Sequence, residues 1–126
     1  MMLDHKQMLA DAYAALNRGD IEGFMAILDA DVLRVEPPGF PLSGTYRGIK
    51  AVRGHFSQAR NSWAEGSCTP KSYEAFDDKM IVHIEVNVRL KDQTEWIKGD
   101  VWDVFKFANG KVVEYYSFGS EAEAYT

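Results

Sequence analysis

The stretch Trp96-Ile97-Lys98-Gly99-Asp100-Val101-Trp102-Asp103-Val104-Phe105-Lys106-Phe107 carries the most informative pattern in the chain. Side chains of a strand alternate between two faces. One face then holds Ile97, Val101, Asp103, Phe105 and Phe107. The other holds Lys98, Asp100 and Lys106 with Trp102 and Val104. Asp103 is the one acid on an otherwise apolar face. Asn109-Gly110 follows at once, and both residue types tolerate positive φ, so a hairpin is predicted there. Val112 to Phe118 makes the returning strand. Upstream, Met80, Val82, Ile84, Val86, Val88 and Leu90 alternate with His83, Glu85, Asn87 and Arg89, the mark of a half-buried antiparallel strand. Lys91-Asp92-Gln93 can turn the chain between the two.

The first half reads as helices. Asp4 with Gln7 has the form of a capping box. Leu9, Ala12, Tyr13 and Leu16 then recur at helical spacing, and Gly19 supplies a stop. Asp20 can cap a second helix with the stripe Ile21, Phe24, Met25 and Leu28. A strand from Val32 to Glu36 ends at Pro37-Pro38-Gly39, because proline cannot donate to a ladder. A loop through Pro41 and Gly44 leads to a third helix with Ile49, Val52, Phe56 and Trp63 on one side. Helices first and strands later give an α+β class with an antiparallel sheet of four or more strands.

The sequence of 126 residues is expected to form one domain, residues 1–126. A net charge of −5 argues against nucleic acid, which needs a basic face, and against anionic membranes. No apolar run approaches the ~18 residues that cross a bilayer. The start has no charged-then-apolar leader, so a cytoplasmic location is expected. Cys68 is alone, which leaves no internal disulfide, and it reads as a small structural residue. His5, His55 and His83 are scattered, and no metal or cofactor is expected. Aromatic residues at 13% suit a pocket for an organic ligand. The lining is expected from Tyr13, Phe24, Phe56, Trp63, Val101, Phe105, Tyr115 and Tyr116.

Two readings of Asp103 stay open. Burial disfavours the charged carboxylate, so the group can stay neutral and donate a hydrogen bond to a developing oxyanion. Alternatively an arginine or backbone donors hold it ionised. Glu36, on a rigid strand beside a loop, is a candidate general base or a solvated surface acid.

Three blocks carry a resemblance: Tyr13 to Asp20; Asp31 to Pro37 with Ser43-Gly44-Thr45; and Asp103 to Phe107 with Gly110 to Val113. Together they resemble the SnoaL-like and ketosteroid-isomerase-like families of the nuclear transport factor 2-like superfamily. The resemblance implies a cone-shaped, cystatin-like fold, with three N-terminal helices on a strongly curved sheet. It places a general base on Glu36 and an oxyanion-stabilising acid on Asp103. It implies an isomerase or lyase that moves a proton next to the carbonyl of a hydrophobic, steroid- or polyketide-like substrate. A non-catalytic binding module, a cyclase, a dehydratase and an epoxide hydrolase are the alternatives. A homodimer paired through the sheet, with Trp102 at the contact, is also implied. Two positions depart from the pattern. The first-helix tyrosine falls on Ala12, and Tyr13 is turned about 100° from it around the helix, so Tyr13 is expected in the core or obliquely beside the pocket. The acid after the last strand is replaced by Phe118-Gly119-Ser120.

Overall fold

The computed structural model describes residues 5–39 and 42–126. In chain order its elements are α1 (His5–Asn17), α2 (Ile21–Met25), β1 (Leu28–Glu36), β2 (Gly44–Arg47), α3 (Ile49–Asn61), β3 (Trp63–Phe76), β4 (Lys79–Leu90), β5 (Ile97–Ala108), β6 (Lys111–Phe118) and α4 (Glu121–Ala124). The strands form one sheet in the order β2-β1-β6-β5-β4-β3. It is α+β, as expected, but the sheet is mixed: β1 lies parallel to β6, and the other neighbours are antiparallel.

Local chemistry explains the predicted ends. Asp20 caps α2 by accepting from Gly23 N at 3.0 Å. Asn109 and Gly110 adopt φ 52° and 81° in the β5–β6 turn, the two positive values that such a tight hairpin needs. The expected capping box cannot be described, because Asp4 lies outside the described residues; Gln7 donates instead to Asp11 at 2.9 Å. Pro41 also lies outside them. Leu28 opens β1 rather than closing the second helix, and Trp63 opens β3 rather than ending the third.

β3 was not legible as a strand, for a physical reason. It is an edge strand with β4 as its single neighbour, so most of its residues are exposed and no apolar alternation is required. It also contains Gly66 and Pro70, both unfavourable in strand interiors. Pro70 sits at a shift in register, as does the Trp63–Glu65 step. Gly66 has φ 127°, and a Cβ there would meet Asn87 O at 2.3 Å, so a side chain cannot be accommodated.

The core lies between the helices and the concave face of the sheet. Leu9, Phe24, Val32, Val52, Val82, Phe105 and Val112 are all fully buried in it. Each such side chain contributes about 1.5–3 kcal/mol by leaving water. Polar ties fix the helices over the sheet. The Asn17 amide donates to Cys68 O and accepts from Cys68 N, both at 2.9 Å. Arg60 donates to Leu16 O and Asn17 O at 2.9 and 3.0 Å, satisfying carbonyls that the end of α1 leaves free. These contacts set the height of Tyr13 and Leu16 above the strands.

On the convex face a second small cluster gathers Ile81 and Val104 under Ala124 of α4, with Trp102, Tyr116, Phe118 and Tyr125 against it. The chain's own last helix therefore covers part of the face that Trp102 occupies. Ser120 caps that helix, accepting from Glu123 N at 3.3 Å. Trp102 also stacks on His83, rings 4.7 Å apart. No helix among the described residues is long and apolar enough to cross a membrane.

Candidate active site

A cavity of about 510 Å³ opens between the concave sheet face, α1 and α3. Its walls are mostly apolar: Leu16, Phe56, Trp63, Ile84, Val88 and Val101 all contribute. Two polar clusters reach into this lining, and Gln58, Arg60, Ser62, Lys98 and Asp100 also border the cavity.

The first group surrounds Asp103. Antiparallel pairing sets Asp103 directly opposite Ser117 and Phe105 opposite Tyr115. Residues two apart share a face, so Tyr115 and Ser117 both turn toward Asp103. Ser117 Oγ donates to Oδ1 at 2.5 Å, and the Tyr115 hydroxyl donates to Oδ2 at 3.1 Å. The Tyr13 hydroxyl reaches down from α1 and donates to Oδ2 as well. Asp103 is 4% exposed. Burial pushes its carboxyl above the ordinary aspartate range; the Arg34 charge and the three hydroxyls oppose this without cancelling it. Burial, then the neighbouring Asp103, pushes the Tyr13 and Tyr115 hydroxyls well above the usual tyrosine value.

The second group is carried by β1 and α3. Val32, Arg34 and Glu36 alternate onto one face of β1. Parallel pairing sets Arg34 beside Tyr115, and the guanidinium lies 4.0 Å over that ring. Arg34 is 4% exposed. Its Nη1 donates to Val35 O at 3.0 Å, and Nη2 lies 3.6 Å from Glu36 Oε1. His55 Nε2 sits 3.2 Å from Glu36 Oε2, without hydrogen-bond alignment. Arg34 Nε, Glu36 Oε2 and His55 Nδ1 are buried with no hydrogen-bond partner among the described residues. Burial pushes the Glu36 carboxyl up, but His55 and Arg34 together outweigh it and hold it below the ordinary glutamate range. The two acids of one cavity are thus driven in opposite directions.

The sequence-predicted residues divide accordingly. Glu36 and Asp103 line the same cavity, with Tyr13, Phe56, Trp63, Val101 and Tyr115. Phe24 and Phe105 do not reach it; they fill the core beneath, stacked around Phe56 and Tyr115. Tyr116 points the other way, since it alternates with Tyr115, and its hydroxyl donates to Glu114 at 2.9 Å. Ala12, where the resemblance puts a tyrosine, is a core residue 1% exposed. Tyr13 supplies a hydroxyl instead, because both positions belong to the stripe that faces the sheet. Arg34 and His55 were the residues that sequence reasoning undervalued. Period two through Val32 and Glu36 was the signal for Arg34. Spacing of three from Val52, inside the buried helical stripe, was the signal for His55. Cys68 borders the cavity, but burial, then Asp103, pushes its thiol up to about 12, which leaves it unreactive.

Residues 9–115 match the SnoaL-like domain. The chain belongs to the SnoaL-like family. Solved structures similar to this SnoaL-like chain carry the same fold. A nuclear-transport-factor-2-like protein of unknown function from Burkholderia pseudomallei is 24% identical over 97% of this chain and 95% of its own, with a TM-score of 0.83. Another such protein, from Burkholderia thailandensis, is 26% identical over 99% of each chain, with a TM-score of 0.81. A hypothetical protein with a ketosteroid isomerase-like fold from Catenulispora acidiphila, in complex with trimethylamine, is 10% identical over 93% of this chain and 88% of its own, with a TM-score of 0.78. Comparison of this SnoaL-like chain with curated proteins finds no match.

Proposed function

We propose that this SnoaL-like chain is an enzyme that moves a proton at a carbon next to the carbonyl of a small hydrophobic molecule. The observation that carries the reading is the split between the two acids. Glu36 is held ionised, with Oε1 making no hydrogen bond among the described residues, so it can accept a proton. Asp103 is driven toward its neutral form, and its oxygens are engaged by three hydroxyls. Environments that push two carboxyls apart assign them different roles.

In the step proposed, the carbon–hydrogen bond breaks and its proton goes to Glu36. The bonding pair becomes a carbon–carbon double bond, and the carbonyl π pair moves onto oxygen as an enolate. Returning the proton to the same carbon completes exchange; where a carbon–carbon double bond adjoins that carbon, returning it to the far end of that bond completes isomerisation. The apolar walls suit a fused-ring or aromatic ketone, which on binding displaces water and so strengthens the charge interactions inside. A homodimer through the outer sheet face, where Trp102 remains half-buried, is part of the same proposal.

The direct test uses β-tetralone in heavy water, followed by proton NMR. The wild-type protein should accelerate loss of the hydrogens next to the carbonyl well beyond the buffer rate. Binding of the ketone without acceleration would favour a non-catalytic binding domain, in which Arg34 merely neutralises Glu36.

A further inference from the structure

We infer that Arg34 is the electrophilic residue of this site: its Nη2 receives the enolate oxygen, in place of Asp103, so the substrate is a ketone whose carbonyl oxygen and acidic C–H lie side by side. The inference rests on the proton-transfer reading above and selects the group that stabilises its intermediate.

Three observations carry it. Arg34 lines the cavity, is almost wholly buried, and forms one hydrogen bond, from Nη1 to Val35 O, among the described residues. A guanidinium has five N–H donors, and leaving donors of a buried cation unused is costly. Nη2 is left with only its 3.6 Å contact to Glu36 Oε1, too long for a hydrogen bond.

Asp103, by contrast, has no free role as a donor. Oδ2 accepts from Tyr13 and Tyr115, and Oδ1 accepts from Ser117. To donate to a ligand it would have to surrender contacts that keep three buried hydroxyls satisfied. Both its oxygens are occupied within that hydroxyl cluster, whichever of them carries the proton of the neutral acid.

The third observation is the closeness of Arg34 to the base. When Glu36 takes the proton, the negative charge leaves its carboxylate and appears on the substrate oxygen. Both positions lie beside the same Nη2. The cation therefore keeps a negative partner throughout, and no solvent reorganisation is needed, which is the condition for efficient electrostatic stabilisation. A base and a donor 3.6 Å apart match a substrate in which the hydrogen removed and the oxygen are neighbours across a single carbon–carbon bond. The ring face of Tyr115 beneath the guanidinium holds it flat at that position.

The test has two arms. In the first, β-tetralone exchange is compared among wild type, Arg34→Met, Arg34→Lys and Asp103→Asn, each checked for folding by circular dichroism. Loss of one oxyanion donor costs about a hundredfold or more. Arg34→Met should lose that much, Arg34→Lys should recover part of it, and Asp103→Asn should lose clearly less than Arg34→Met. A folded Arg34→Met that exchanges within about threefold of wild type, or an Asp103→Asn that loses more than Arg34→Met, would overturn the assignment. The second arm is independent of turnover. β-Naphthol, whose anion resembles an enolate, is titrated into two further variants at neutral pH and its ionisation read from absorbance. In Glu36→Gln, whose neutral amide stands for the base after it has taken the proton, the anion should be bound, and in Glu36→Gln with Arg34→Met the neutral phenol; neutral phenol bound by a folded Glu36→Gln protein contradicts the inference even where wild type exchanges. Absence of exchange in wild type, with the anion still bound through Arg34, would sink the proton-transfer reading alone.

Discussion

The Glu36→Gln variant is expected to exchange the hydrogens of β-tetralone at least about a hundredfold more slowly than wild type, because a positioned general base contributes about 10²–10⁴. The substitution removes the proton-accepting oxygen and keeps the shape of the side chain. It also leaves Arg34, 4% exposed, without a carboxylate partner. Ketone binding should therefore persist while turnover is lost, since the apolar walls are untouched. NMR exchange rates beside a β-tetralone titration followed by Trp63 fluorescence separate the two effects. Exchange at the wild-type rate in this variant would exclude Glu36 as the base and leave the cavity as a binding site.

The second large effect is on stability. Asp103→Ala should destabilise the chain by on the order of 3 kcal/mol or more. Three buried hydroxyls, those of Tyr13, Tyr115 and Ser117, lose their acceptor, and each unpaired buried group costs about 1–3 kcal/mol. Asp103→Asn retains an acceptor oxygen and should lose less. Urea unfolding measures both. An Asp103→Ala protein as stable as wild type would mean that the hydroxyl cluster contributes nothing to folding.

These two acids also have opposite linkage to pH. A carboxyl raised on folding holds its proton more tightly in the folded chain than in the unfolded one. For Asp103, stability is thus fullest below the unfolded value of 3.8 and declines as pH rises from there toward the raised folded value. For Glu36, lowered on folding, the contribution is present above the unfolded value of 4.5 and is lost as pH falls through the lower folded value.

Much of this was legible in the sequence, and the exceptions have physical causes. Alternation through Val101, Asp103 and Phe105 put an acid on an apolar face, and the structure buries it there. Strict period two, a positive-φ turn and a capped helix are local signals, so they survive without tertiary information. β3 was illegible because an exposed edge strand with a glycine and a proline shows no alternation. The parallel β1–β6 pairing is a long-range fact with no local signature. Tyr13 was judged from an alignment to a neighbouring position, and a tyrosine is long enough to span a helix-to-sheet gap that alanine cannot. Arg34 was visible on the same face as Glu36, but its unused donors depend on what surrounds it, which only packing reveals.

Carboxyl carbon NMR across an acid titration, with Asp103→Asn and Glu36→Gln to assign the signals, tests the division of labour most directly. Asp103 should ionise above 3.8 and Glu36 below 4.5, each on the opposite side of its ordinary value from the other. If Asp103 ionised at or below 3.8, or Glu36 at or above 4.5, the cavity would not drive its acids apart, and the role given to Glu36 would lose its basis.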